Sequence, residues 1–183
     1  MDIALVPYEY ARHGDGPKEV VIEAWAPYGY EYAPEYDTDI VRPDQHYPLG
    51  FMVAECDGQV VGCIGISELE PGLFRLNRLY VRPPMHRKGI GGRLVDWVIA
   101  EARRRNGRRI ILFSDIAFLD AHRLYERKGF RRTRFRYAPD AWQSREWGYE
   151  LDLGVVSILE DGVTDGRIPD LGPGRNDRRA GQL

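Results

Sequence analysis

The sequence predicts a mixed α/β fold: one twisted, mostly antiparallel sheet of about seven strands, flanked by helices. Three observations predict it. Apolar runs of strand length recur with turn signals between them, a glycine-rich turn separates one such run from an amphipathic helical stretch, and the run after that stretch is apolar almost throughout, as in a strand buried on both faces. Length and composition agree, since 183 residues with 43% apolar, 30% charged and 11% aromatic residues suit a single globular core. The domain is placed at residues 1–153. The remainder, 154–183, is rich in Gly and Arg and reads as a mobile tail with at most a short strand at 155–159.

Residues 3–7 form a short first strand. In 18–26 the apolar residues fall at helical intervals, and Pro27 stops the run. Residues 28–48 change character: Tyr28, Tyr30, Tyr32, Tyr36 and Tyr47 mix with Glu31, Glu35, Asp37, Asp39 and Asp44, while Pro34, Pro43 and Pro48 break any long element. A hairpin follows, with strands at 51–56 and 59–66 around Asp57-Gly58. Pairing 56 with 59 puts Cys63 opposite Met52, so no disulfide to Cys56 is expected. After Glu70-Pro71-Gly72, a run at 74–81 completes a meander, which Pro83-Pro84 ends.

Gly89-Ile90-Gly91-Gly92 then opens a helix to about Asn106. Leu94, Val95, Val98, Ile99 and Ala102 lie on one stripe, and Arg103, Arg104 and Arg105 sit where cations suit the helix dipole. The apolar strand at 109–113 follows this crossover helix, which implies a parallel pair. A second helix at 118–128, ended by Gly129, and strands at 130–137 and 146–153 finish the domain.

The net charge of −2 hides a polarity. Residues 1–70 hold 3 of the 26 basic and 14 of the 28 acidic residues, a balance of −11, against +9 for the rest. Residues 75–136 alone carry 18 basic and 5 acidic residues, a density that suits a phosphate-bearing ligand. The four His (13, 46, 86, 122) and two Cys lack metal-ligand spacing, so no metal is expected. No apolar run approaches the roughly 18–20 residues of a membrane span, and Met1-Asp2-Ile3-Ala4 does not begin a signal peptide, so a cytoplasmic protein without a membrane partner is expected.

The glycine-rich turn carries the chemistry. Backbone N–H groups at a helix N-terminus have no intrahelical partner, the dipole favours an anion there, and glycine lets the backbone approach it. This is a phosphate cradle. The run Val81-Arg82-Pro83-Pro84-Met85-His86-Arg87-Lys88-Gly89-Ile90-Gly91, preceded by Leu79 and followed later by Leu124-Tyr125-Glu126-Arg127-Lys128-Gly129-Phe130, resembles the GNAT superfamily of acyl-CoA-dependent N-acyltransferases. The resemblance implies a sheet splayed in its centre, between the strands at 74–82 and 109–114, with acetyl-CoA in the opening.

By the same resemblance, the backbone at Leu79, Tyr80 and Val81 would pair with the pantetheine arm, the amides of Arg87, Lys88, Gly89, Ile90, Gly91 and Gly92 would hold the pyrophosphate, and the His86 side chain would stand beside the phosphates. Phe118 and Ala121 would line the cofactor. Tyr125 would hydrogen-bond the thioester sulfur and protonate the leaving thiolate, a role that suits a phenol protonated at neutral pH. Four positions depart from the family pattern: His86 replaces a Gln or Arg, Arg87 a small residue, Phe118 an Asn, and Arg75 stands where many relatives carry a Glu that accepts the amine's proton. Glu68, Glu55 and Asp115 are candidate bases by strand-end position.

An amine acceptor must lose a proton to attack, and carboxylates with aromatic faces can both attract and hold its cationic form. Tyr28, Tyr30, Tyr32 and Asp37, with Arg75 beside them, are therefore candidate acceptor residues for a small-molecule amine. The same loop can instead be a contact between two copies in a homodimer. Other readings are a CoA-binding sensor that transfers no acetyl group and a protein N-acetyltransferase. Nucleic acid is not an expected partner, because the basic segments at 103–109 and 127–136 contain only Phe130 and Phe135 as interleaved aromatics.

Overall fold

The computed structural model describes residues 2–140 and 142–154; the strand expected at 155–159 and the rest of the tail lie outside the described residues. The chain runs β1 (Ile3–Pro7), α1 (Tyr10–His13), α2 (Gly16–Trp25), α3 (Pro43–His46), β2 (Phe51–Cys56), β3 (Gln59–Glu70), β4 (Leu73–Val81), α4 (Ile90–Arg104), β5 (Arg109–Asp115), α5 (Leu119–Arg127), β6 (Arg131–Tyr137) and β7 (Arg145–Asp152). Single 3-10 turns occupy Ala26–Tyr28, Thr38–Ile40 and Pro83–Met85. Among the described residues the seven strands form one sheet in the order β1-β2-β3-β4-β5-β7-β6. Its β4–β5 pair is parallel, as a strand–helix–strand crossover requires, and its other pairs are antiparallel.

The hairpin pairs Cys56 with Gln59 as expected, but Cys63 lies opposite Val53, not Met52. The reason is a bulge: one extra residue, Val61, sits in β3 between the pairs Ala54–Gly62 and Glu55–Val60. Both cysteines are buried and free.

Helices cover the two faces unequally. On one face α4 buries Ile90, Leu94, Val95, Val98 and Ala102, with Tyr125 of α5, over Ile64, Ile66, Phe74, Leu76, Ile110, Leu112 and Tyr149. Each such aliphatic side chain contributes about 1.5–3 kcal/mol on burial. On the other face α2 and the 3-10 turn at Thr38–Ile40 place Val20, Val21, Trp25 and Ile40 over Val53, Val60 and Cys63. Strand alternation brings Arg75, Phe113, Asp115, Glu146 and Arg136 to that same second face, farther along the sheet.

One feature of the sheet prepares the site. β4 and β5 pair only at Leu73–Arg109, Phe74–Ile110 and Arg75–Ile111. Beyond Arg75 they diverge, which opens the sheet between its two halves and leaves the β5-facing edge of residues 76–81 unpaired.

Candidate active site

The divergence of β4 from β5 opens into a cavity of about 490 Å³. One wall is the free edge of β4 from Leu76 to Tyr80; the other is Phe113, Ser114 and Asp115 of β5, with Phe118, Ala121 and Tyr125 behind them. Tyr125 is 4% exposed, yet it lines the cavity. Its ring is held by Phe130 at 5.9 Å and Tyr149 at 5.6 Å. Burial pushes its pKa up, and the neighbouring Tyr80 and Tyr149 add to that.

At the outer end of β4 the chain turns through Pro83–Met85 into the N-terminus of α4. Arg87 and Gly89 adopt positive φ, 61° and 78°, so that the N–H groups of Ile90, Gly91 and Gly92 begin the helix without intrahelical partners. Gly89 suits this left-handed position because it has no Cβ. A Cβ on Gly91 would lie 3.2 Å from Leu124, so α5 packs close to the cradle. The imidazole of His86 folds back onto the Val81 carbonyl oxygen at 2.8 Å, which ties the turn to the strand that precedes it.

The tyrosine-rich loop divides. Tyr30 lines the cavity and donates from its hydroxyl to Asp115 at 2.8 Å; burial and that carboxylate push its pKa up to about 12. Asp37 lines the cavity too, but its carboxylate is occupied. Arg78 donates to Asp37 at 3.0 Å and to both oxygens of Asp39 at 2.9 and 2.6 Å, and Tyr47 donates to Asp39 as well. Burial opposes ionisation of Asp39, but Arg78 outweighs it and holds the carboxyl below its usual range. Arg78 itself sits at φ 52°, at the irregularity where β4 loses register with β3.

Several expected residues stand elsewhere. Tyr28 is half exposed and packs on Phe118 at 4.8 Å, and Tyr32 lies under Lys18 at 4.9 Å; neither lines the cavity. Glu68 is exposed near the end of β3, where it accepts from the Gly72 N–H at 3.0 Å, too far along the strand to reach the cavity. Glu55 is buried against Arg12 and His13 at 2.5 and 2.9 Å and is also outside it. Of the three candidate bases Asp115 lines the cavity, with one oxygen on Tyr30 and the other on the Ala117 N–H at 2.8 Å. Arg75 lines the cavity as well. Sequence reasoning missed Arg78, Phe113, Arg136 and Glu146, which reach the site only through the register of distant strands. Their one local signal is alternation along strands that read as ordinary polar edges.

With this geometry in place the comparisons have a clear meaning. Residues 18–130 match the acetyltransferase (GNAT) family, and the chain belongs to that family. It is similar to aminoalkylphosphonate N-acetyltransferase of Salmonella typhimurium, 32% identical over 108 residues that span 56% of this chain and 67% of that protein. Its fold matches an acetyltransferase of the GNAT family from Staphylococcus aureus Mu50, with TM-score 0.74, 20% identity and coverage of 84% of this chain and 100% of that one. It also matches a GNAT family acetyltransferase from Brucella melitensis solved in complex with acetyl-CoA, with TM-score 0.61, 23% identity and coverage of 84% and 89%. The protein is an acyltransferase, and the residues present fit coenzyme A: the open β4 edge, the N–H cradle at 90–92 and the close-packed Gly91 lie in succession along one side of the opening.

Proposed function

We propose that the protein transfers the acetyl group of acetyl-CoA to the primary amine of a small molecule, by direct attack in a ternary complex. The observation that supports this best is the divergence of β4 and β5 beyond Arg75–Ile111, which brings the free β4 edge and Tyr125 onto one cavity. When bound, acetyl-CoA supplies an activated thioester. The amides of residues 87–92 hold its pyrophosphate, and the backbone at Leu79 and Val81 orients its pantetheine arm as an added strand would be oriented.

Tyr125 acts as general acid toward the departing thiolate. Its hydroxyl is protonated at neutral pH, since a free phenol titrates near 10 and burial raises it further, while a thiol titrates near 8.5. Asp115 takes the amine's proton, directly or through the Tyr30 hydroxyl that it accepts from. A small-molecule acceptor is supported by the size of the cavity, about 490 Å³, and by the name of the Salmonella relative, an aminoalkylphosphonate N-acetyltransferase. The proposed location is the cytoplasm, as the sequence leads one to expect.

Tyr125→Phe tests the reading. We expect kcat to fall about a hundredfold or more, the usual share of a positioned acid, while the KM for acetyl-CoA changes less than threefold. Unchanged turnover in a CoA-release assay would remove Tyr125 from the mechanism.

A further inference from the structure

At the inner end of the cavity, where β4 and β5 still pair, Arg75 projects from β4 toward Phe113 of β5. Its guanidinium carbon is 5.7 Å from that ring's centroid. Arg136 stands over the same ring at 3.4 Å and Arg134 at 5.4 Å, so three guanidinium groups gather around one aromatic ring. Two of the arginines that line the cavity are neutralised. Glu146 takes both Arg136 Nε at 2.7 Å and Nη2 at 2.6 Å, and Asp37 with Asp39 takes Arg78. The remaining acids are also engaged: Asp115 by Tyr30 and Ala117, and Asp140 by the N–H groups of Trp142 and Ser144.

Arg75 is the exception. Its Nε is buried and has no hydrogen-bond partner among the described residues. A guanidinium cannot lose its proton to escape burial, and a buried charge without a partner is costly to keep. Burial and the nearby Arg136 both disfavour its charged form, and outweigh Glu146, whose carboxylate is bonded to Arg136. What it lacks is an anion, and the planar fork of an arginine suits one with two oxygens to offer.

We propose that Arg75 binds an anionic head group, a carboxylate or phosphonate, carried by the acceptor amine. This deepens the acetyl-transfer reading and rests on it. The cofactor's phosphates do not meet this need, because their cradle at residues 87–92 follows the opposite end of β4. An acceptor held at Arg75 by its acid end points its amine along the cavity toward Tyr125. The family position where an acid would receive a proton here carries a cation that selects the acceptor.

The test compares β-alanine, 2-aminoethylphosphonate and ethanolamine as acceptors for the wild type, Arg75→Met and Arg75→Lys, with acetyl-CoA affinity measured separately by calorimetry. The wild type should favour the two acids, and whichever is better tells carboxylate from phosphonate. Arg75→Met should lower kcat/KM for that acid about tenfold to a hundredfold, the size of one charge-assisted hydrogen bond. Ethanolamine turnover should fall far less than that of the acid, acetyl-CoA affinity should stay unchanged, and Arg75→Lys should recover part of the loss. Equal effects on all three amines, or none, would overturn the proposal while leaving acetyl transfer standing. If acetyl-CoA binds and no amine is acetylated, the transfer reading fails instead. Calorimetry of β-alanine and 2-aminoethylphosphonate with CoA-loaded protein then decides the site: binding that Arg75→Met abolishes supports it, and no binding rejects it.

Discussion

Arg78 is the residue on which the acceptor side of the cavity hangs. It adopts a backbone conformation that side-chain-bearing residues seldom take, and it repays that strain by gathering Asp37 and Asp39, with Tyr47 joining through Asp39. Asp37 and Asp39 are thus partners of the protein's own cation. Asp39→Asn should destabilise the fold by about 2 kcal/mol, measured by urea denaturation, because Arg78 loses its bidentate partner in a largely buried setting. The pH dependence has a definite sign. Since the folded Asp39 titrates below the free carboxyl value near 3.9, its contribution is full above that value and is lost as pH falls below it, through the lowered folded pKa. The Asn variant should therefore show a shallower loss of stability on the acid side, seen as a smaller difference from wild type at pH 3 than at pH 7 in the same assay.

Among the elements, the turn into α4 is the proposed seat of the cofactor's pyrophosphate. Gly89→Ala forces a Cβ into the left-handed region, at a cost of about 1–2 kcal/mol that the turn can relieve only by moving the cradle. We expect the KM for acetyl-CoA to rise about tenfold in steady-state kinetics with the fold retained. This element was legible in the sequence, because a strand, two prolines, closely spaced glycines and an amphipathic stripe are all local signals. The hairpin was legible for the same reason, down to its Cys56–Gln59 turn pair. Cys63 was misplaced by one position because the bulge at Val61 has no local mark. Glu146 and Arg136 stayed invisible for a different reason: they enter the site only when β7 inserts between β5 and β6, and no spacing along the chain records that insertion. Glu68 was proposed as a base from its place near a strand end, but β3 runs on to Glu70 and carries it past the opening.

Over the whole molecule, the polarity of the sequence folds back on itself. Arg78 meets Asp37 and Asp39, and Arg82 meets Glu19 and Glu23, so part of the acidic first half neutralises the basic second half. Arg87 and Arg93 remain exposed at the cradle. Acetyl-CoA affinity should therefore fall with salt, about threefold or more between 0.05 and 0.5 M ionic strength by calorimetry, as screening shortens the reach of these charges. In the proposed reaction, one opening in the sheet brings a thioester and an amine together. Mass spectrometry of wild-type reactions with acetyl-CoA and 2-aminoethylphosphonate or β-alanine tests it most directly. N-acetylated amine and free CoA should form in equal amounts, and the rate of both should fall about a hundredfold or more in Tyr125→Phe. Acetyl-CoA bound without any acetylated amine, or CoA released with none formed, would contradict it.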